Sequence, residues 1–452
     1  MITNTLAEYI ASTGSRRLPE AVRLAAVHHL IDTMAAMISG STLEARAGAI
    51  AFAREISGRE EATVVGTDLT VSAEAAALAN GMFAHADETD DSHGFSVTHP
   101  GCSVIPAALA IGERLGASGE MLLRSIVTGY DVGTRVAAAV GGGDFMVRYH
   151  HCSFGGIFGA ASAAAAMLDL DPADASSTLT FATHLASGST CWVRDPAHVE
   201  KSFVFGGLPA HNGVKAALFG RTGIPTSTAP LEGVPGLFAG YAETAKPELA
   251  VEALGERFEV QRTAIKKWSV GSPCQAALDS IEALLREHRF RADDVADIHV
   301  TLPERRVLIT RSEVPNLNLS HLLALFIVDG GVTFASVHDH ARMTDPAVLA
   351  LRSRVRIEAR PGAHRRDHAI ITLALRDGRF FLKQPETVRG QPEDPMNTDE
   401  VMNKASGLIV PVLGKEKADA LIGMLLSIET LDDLRKLRPV LHLPASGNRS
   451  LG

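Results

Sequence analysis

From Leu18 to about Gly220 the chain strings together apolar stretches at helical spacing, punctuated by Gly, Pro and Asp, and no alternating strand pattern of comparable strength interrupts them. Val22, Ala25, Ala26, Leu30, Met34 and Met37 share one face of the first helix, whose N-terminal turn is marked by Pro19. Further helices are predicted over 45–56, 73–86, 119–140, 158–168 and 210–219. Aromatic residues make up only 5% of the chain, whereas Ala and Gly are plentiful, so these helices pack by letting small residues bring backbones close.

The pattern changes after Lys266. Residues 298–302 and 355–359 alternate, and 370–375 followed by Asp377-Gly378 and 379–383 reads as a β-hairpin, with helices predicted over 272–289 and 319–329 between them. Thr398, Asp399 and Glu400, just past the Pro-rich stretch 391–395, open a last helical segment. The expected fold class is therefore mainly α with a smaller α+β domain. Residues 1–265 and 393–452 form an all-helical domain, and 266–392 form an α+β lid inserted between its two parts. At 452 residues the chain is long enough for two such cores.

A net charge of −9 offers no long-range attraction for polyanions, which argues against nucleic acid as a partner and requires any anionic substrate to meet a local basic pocket. Cys102, Cys152, Cys191 and Cys274 are widely spaced and form no C-x-x-C pair, so neither a zinc nor an iron–sulfur ligand set is expected. The N-terminus has no basic segment followed by an apolar one, and no apolar run is expected to approach the roughly 20 residues that span a bilayer. These features predict a soluble, cytoplasmic protein without a membrane partner.

Chemistry concentrates at three junctions between loop and helix. The first is His85-Ala-Asp-Glu-Thr-Asp-Asp-Ser-His93, followed by Thr98-His99-Pro100-Gly101 and a largely apolar helix. The second is His150-His151 before an Ala-rich helix, and the third is Lys201 ahead of Gly206-Gly207 and Asn212. Each sets a titratable side chain beside exposed backbone N–H groups, an arrangement suited to a carboxylate ligand, and imidazole exchanges protons near neutral pH. Lys266 and Lys267, at the expected domain boundary, would add positive charge. Plainer readings stand beside these: an Asp90-Asp91 pair also serves as a helix cap, a lysine snorkels, and adjacent lysines are ordinarily solvated. The glycine pairs 155–156 and 206–207 lack nucleotide-binding spacing and fit close helix packing better.

These blocks, taken in order, resemble the MmgE/PrpD family: His85-Ala86, Asp90-Asp91-Ser92-His93, His99-Pro100, His150 with Phe158-Gly159-Ala160-Ala161, Lys201 with Asn212-Gly213-Val214, and Lys266-Lys267-Trp268 with Ala277-Leu278-Asp279. The resemblance implies a helical domain with an α+β lid, a homodimer, no metal, no organic cofactor and a small polycarboxylate substrate. It implies His99, His150, Lys201 and Asp90 as catalytic residues. It implies Glu88, Asp91, Ser92 and Lys266 as substrate-binding residues, and His93, His151, Lys267 and His321 are added to them as candidates. Departures accompany it: Glu88 and Ser92 stand where members often have Asp and Thr, His321 where they often have Tyr, and His151 where Pro is usual. The family's reactions all move a proton or carboxylate from carbon beside another carboxylate. The expected activity is a hydro-lyase of the 2-methylcitrate dehydratase type, ahead of an epimerase acting on iminodisuccinate, a cis-aconitate-type decarboxylase, and a non-catalytic binding protein on the same fold.

Overall fold

The computed structural model describes residues 1–142, 144–195, 197–364 and 368–443. The chain divides into two compact units. The first comprises Met1–Ala86, Asp90–Ala264 and the segment from Asn397 onward; the second comprises Asp87–Thr89 and Ile265–Met396. Part of the expected C-terminal segment 393–452, residues 444–452, lies outside the described residues.

The first unit is built of packed helices. Those that position the site are α1 (Glu20–Gly40), α2 (Ala73–Ala84), α3 (Gly101–Leu115), α4 (Gly119–Val140), α5 (His151–Met167) and α6 (Leu208–Gly220). Helix α5 is buried along its whole length, and its Ala-rich sequence is what allows α3, α4 and α6 to pack around it. The sequence predicts its start only at residue 158, because 151–157 lies within the His- and Gly-bearing stretch that reads as a junction. Two more helices, Ile2–Ala11 and Pro172–Leu185, go unpredicted, although Asp171 caps the second through the N–H groups of Ala173 and Asp174, both at 2.9 Å. A two-residue ladder pairs Ala62–Thr63 with Thr70–Val71.

Helix α1 corrects one expectation. With 21 residues it is long and apolar enough to cross a membrane, which no run was expected to be. Its residues from Ala26 to Gly40 are all buried inside the unit, and it carries Asp32, whose Oδ1 lies 2.5 Å from Lys404 Nζ. A buried acid matched by a lysine from the C-terminal segment marks a core helix of the folded unit.

The second unit has its own core. Helix α7 (Ser272–His288) and helix α8 (Leu319–Asp329) pack with a four-stranded sheet of order β2-β1-β3-β4, where β1 is Val295–Leu302, β2 Val355–Ala359, β3 Ile370–Leu375 and β4 Phe380–Lys383. Strand β2 runs parallel to β1, and the other pairs are antiparallel. The alternation in β1 and β3 buries Ile298, Val300, Ile371 and Leu373 on the helix-covered face. Gly378, at φ 90°, makes the predicted hairpin turn. After this unit the chain returns to the first through α9 (Thr398–Leu413), where Asn397 and Glu400 form a capping box at 3.0 and 2.9 Å. The protein is thus mainly α, with a smaller α+β part inserted in the sequence.

Candidate active site

In the first unit the acidic loop ends in two adjacent aspartates with different fates. Asp90 is fully buried and turns toward imidazoles: Oδ2 lies 2.9 Å from His85 Nδ1, and Oδ1 lies 3.4 Å from His99 Nδ1. Asp91 turns the other way. Its Oδ2 accepts from His29 Nδ1 at 2.9 Å and from the Tyr130 hydroxyl at 2.5 Å, while Oδ1 accepts from the backbone N–H of Gly101 at 3.0 Å.

Asp91 therefore holds the start of α3 through these three bonds. The first of the N–H groups beside His99, that of Gly101, is taken by the bond to Asp91 Oδ1. Gly101 is required there: a Cβ would fall 2.5 Å from Thr33 Oγ1 and 2.9 Å from the Tyr130 hydroxyl.

The π-helical turn Phe203–Gly207 joins the short helix Val199–Ser202 to α6. Gly206 lets this turn lie directly on α2, for a Cβ on Gly206 would sit 2.0 Å from the Gly81 carbonyl oxygen. The widened turn diverts carbonyls from the helical ladder, and side chains of neighbouring helices serve them: Ser153 Oγ donates to Val204 O at 2.7 Å, and Cys102 Sγ to Phe205 O at 3.5 Å. Phe205 is thereby set between the junctions. Its ring packs nearly parallel to His85 (centroids 4.8 Å, 24°) and to His150 (4.4 Å, 23°), with His99 at 6.0 Å and Trp192 edge-on at 4.9 Å. Lys201, one turn earlier, places Nζ 5.2 Å from the same ring and 5.5 Å from that of Trp192.

His99, His150, Lys201 and Asp90, remote in sequence, are thus brought together. His85, His198, Trp192 and Phe205 join them without having been assigned. His85 stood in the acidic motif and could have been read as Asp90's partner. Phe205 had no signal, since a π turn leaves none in residue spacing. His198, at φ 62°, begins the helix that carries Lys201, its ring 5.4 Å from His85.

Electrostatics separate the imidazoles. His150 caps α5 by accepting the N–H of Cys152 on Nδ1 at 3.2 Å, so in the neutral ring the proton sits on Nε2. Burial, then the positive fields of His151, Lys201, His99 and His85, push its pKa well below the ordinary 6.5. Burial also lowers that of His85, against the pull of Asp90. His99 remains 15% exposed, its Nδ1 facing the Asp90 carboxylate.

Other candidates lie elsewhere in this unit. His93 is locked between Ser96 Oγ (2.7 Å) and Glu259 Oε2 (3.1 Å), and His151 turns Nε2 onto the Gly141 carbonyl. Both brace the interior of this unit. Ser92 pairs through its backbone with Ala264. A separate groove of about 770 Å³ is lined by residues including Arg17, Arg23 and Arg124, but Arg23 and Arg124 are already held by Glu20, Glu429 and Glu120.

In the second unit, buried Lys266 donates to the backbone carbonyl of Glu88 at 2.8 Å and lies 3.7 Å from its carboxylate. His338, which drew no attention in the sequence, reaches Asp87 Oδ2 at 3.2 Å; although its burial opposes the charge, that bond raises its pKa. Lys267 pairs with Glu282 Oε2 at 2.5 Å and lies over the Trp268 ring. His321 is wholly buried in α8, and among the described residues neither ring nitrogen has a hydrogen-bond partner. Burial, with Arg352 and Arg342, brings its pKa down to about 4.

Residues 4–250 match the MmgE/PrpD N-terminal domain, and residues 268–430 match the MmgE/PrpD C-terminal domain. The chain belongs to the MmgE/PrpD family. A cis-aconitate decarboxylase-like protein of Aspergillus oryzae is 26% identical to it, covering 96% of each chain. The cis-aconitate decarboxylase of Homo sapiens is 23% identical over 98% of this chain and 95% of its own. That of Aspergillus terreus is 23% identical over 84% of each. Like these MmgE/PrpD relatives the chain is an enzyme by descent, and the decarboxylases among them are lyases.

Proposed function

We propose that the protein is a lyase acting on a small polycarboxylate, in which negative charge develops on carbon beside a carboxylate and His99 moves the proton. The observation that carries this reading is the opposite arrangement of two imidazoles around Phe205. His99 has Nδ1 toward a carboxylate, which leaves Nε2 to exchange a proton, and its partial exposure lets solvent recharge it. His150 is held neutral with Nε2–H as a fixed donor, suited to an enolate-like oxygen, and Lys201 supplies the nearby positive charge. The names of the relatives favour decarboxylation of a cis-aconitate-like tricarboxylate over the dehydration of 2-methylcitrate ranked first from sequence. In that reaction the bond to one carboxylate breaks, carbon dioxide leaves, its bonding pair stays on carbon, and the imidazolium of His99 protonates that carbon. A cytoplasmic homodimer belongs to the same proposal, on the family resemblance.

The test is incubation with cis-aconitate, 2-methylcitrate and iminodisuccinate in D₂O. Carbon dioxide release with one deuterium placed on product carbon supports the decarboxylase. New ultraviolet absorbance without gas replaces it with a hydro-lyase, and deuterium exchange without bond cleavage replaces it with an epimerase. No reaction with any polycarboxylate overturns the proposal.

A further inference from the structure

Phe205 is the buried ring on which the candidate site converges. It is 2% exposed, in a chain with few aromatic residues, and two imidazoles lie nearly parallel to it while the rings of His99 and Trp192 and a lysine amine approach it. Its backbone is fixed from three sides: Cys102 of α3 donates to its carbonyl, Ser153 of α5 to that of Val204, and Gly206 closes against Gly81 of α2. A side chain needed only to fill space does not call for a π turn with its carbonyls reassigned to two other helices. Of the rings around it, His85 and His150 lie within 24° of the Phe205 plane, while His99 is tilted at 40° and Trp192 stands edge-on at 78°.

We propose that Phe205 is a positioning residue, a flat platform that sets the ring planes of His85 and His150 and keeps water from the space between them, so that His85 can hold Asp90 toward His99 and His150 can remain a neutral donor. The inference rests on the reading of His99 and His150 given above and deepens it. The groups that act on His150 are named by the geometry: His151 from its own helix, His85 and His99 from the acidic loop and the start of α3, and Lys201 from the helix before the π turn. Hydrophobic area alone does not orient an imidazole plane, but a stacked aromatic face does. A substitution that keeps volume but loses the flat face should therefore disturb chemistry more than folding.

The experiment compares Phe205→Tyr, which keeps the ring, with Phe205→Leu, which keeps apolar bulk, in the full chain. Two quantities are read: kcat and KM on whichever polycarboxylate the wild type turns over, and the titration of His150 by NMR of protein labelled with ¹⁵N-histidine, assigned by loss of its signal in His150→Gln. Phe205→Tyr is expected to keep kcat within about 3-fold, whereas Phe205→Leu loses about 10-fold or more in kcat with KM nearly constant. In Phe205→Leu the His150 titration moves up toward 6.5. If Phe205→Leu does not fold, Phe205→Met, flexible and of similar volume, takes both measurements. The inference is overturned if the ring-less variant retains the wild-type titration and turnover, or if Phe205→Tyr is as impaired as Phe205→Leu. Should the wild type act on no polycarboxylate, the functional reading fails by itself and the titration still decides the role of Phe205.

Discussion

Asp90 Oδ1 lies 3.4 Å from His99 Nδ1 while its other oxygen is held by His85 at 2.9 Å, so one buried carboxylate orients two imidazoles that face different surroundings. An amide at this position would keep the shape but lose the negative charge that His99 Nδ1 faces, and its NH₂ could meet Nδ1 as a second donor. Asp90→Asn should lower kcat by roughly 10²-fold or more with little change in KM. Steady-state kinetics on the active polycarboxylate check this, and an unaltered kcat would remove Asp90 from the proton path.

Its neighbour should behave in the opposite way. Asp91 takes donors from His29, Tyr130 and Gly101, all buried, and an amide cannot accept from all three without leaving one unsatisfied. Asp91→Asn should cost about 2 kcal/mol of folding stability. Urea denaturation of the two variants side by side is the measurement, Asp90→Asn being the smaller loss.

Lys201 is the amine nearest the Phe205 platform, and its partner in the proposed complex is a carboxylate. Lys201→Met keeps the aliphatic stem and removes the charge. Its kcat/KM should fall about 10- to 100-fold, the range of one charge-assisted hydrogen bond. Rising ionic strength should then weaken the wild type more than the variant.

His321 gives the second unit a pH dependence. Its pKa is about 4 in the folded chain and returns to the ordinary 6.5 on unfolding, so between these values the unfolded chain binds the extra proton. The stability it permits is complete above pH 6.5 and is lost as pH falls toward 4, in total about 3 kcal/mol. His321→Phe should melt at a temperature less sensitive to pH across that window. Equal slopes for the two proteins would show that this ring does not govern the acid response.

Gly206 tests the packing beneath the site. Its Cβ position is occupied by the Gly81 carbonyl oxygen at 2.0 Å, an atom of helical backbone that cannot swing aside. Gly206→Ala should cost about 2 kcal/mol or more by forcing the π turn off α2. Calorimetry reads the loss, and the His150 titration should shift in the same protein.

What the sequence conveyed depended on whether a feature is written in spacing. The hairpin at Asp377-Gly378 and the helices 119–140 and 319–329 carry their period and punctuation openly, and they stand where predicted. Helix α5 hid its first two turns because histidines and glycines there look like a loop; only burial on every side makes such residues helical. In the candidate site, residue types were legible and their partners were not. Asp90 and Asp91 are adjacent and chemically identical, and what divides them is which helices lie on either side. Lys267 looked as useful as Lys266 until Glu282, fifteen positions later, proved to be within reach. Phe205 was invisible because nothing in an apolar residue announces that two imidazoles will lie along its ring.

The π turn at Phe203–Gly207 has an evolutionary consequence. Such a turn houses one residue more than the α-helical turn it replaces, so a single inserted codon suffices to create it and a single deletion to erase it, while the helices before and after keep their lengths. Across descendants of one ancestral gene, the length of this one turn would then decide which side chain meets the histidines, and a gap of one column in an alignment would mark a change of chemistry.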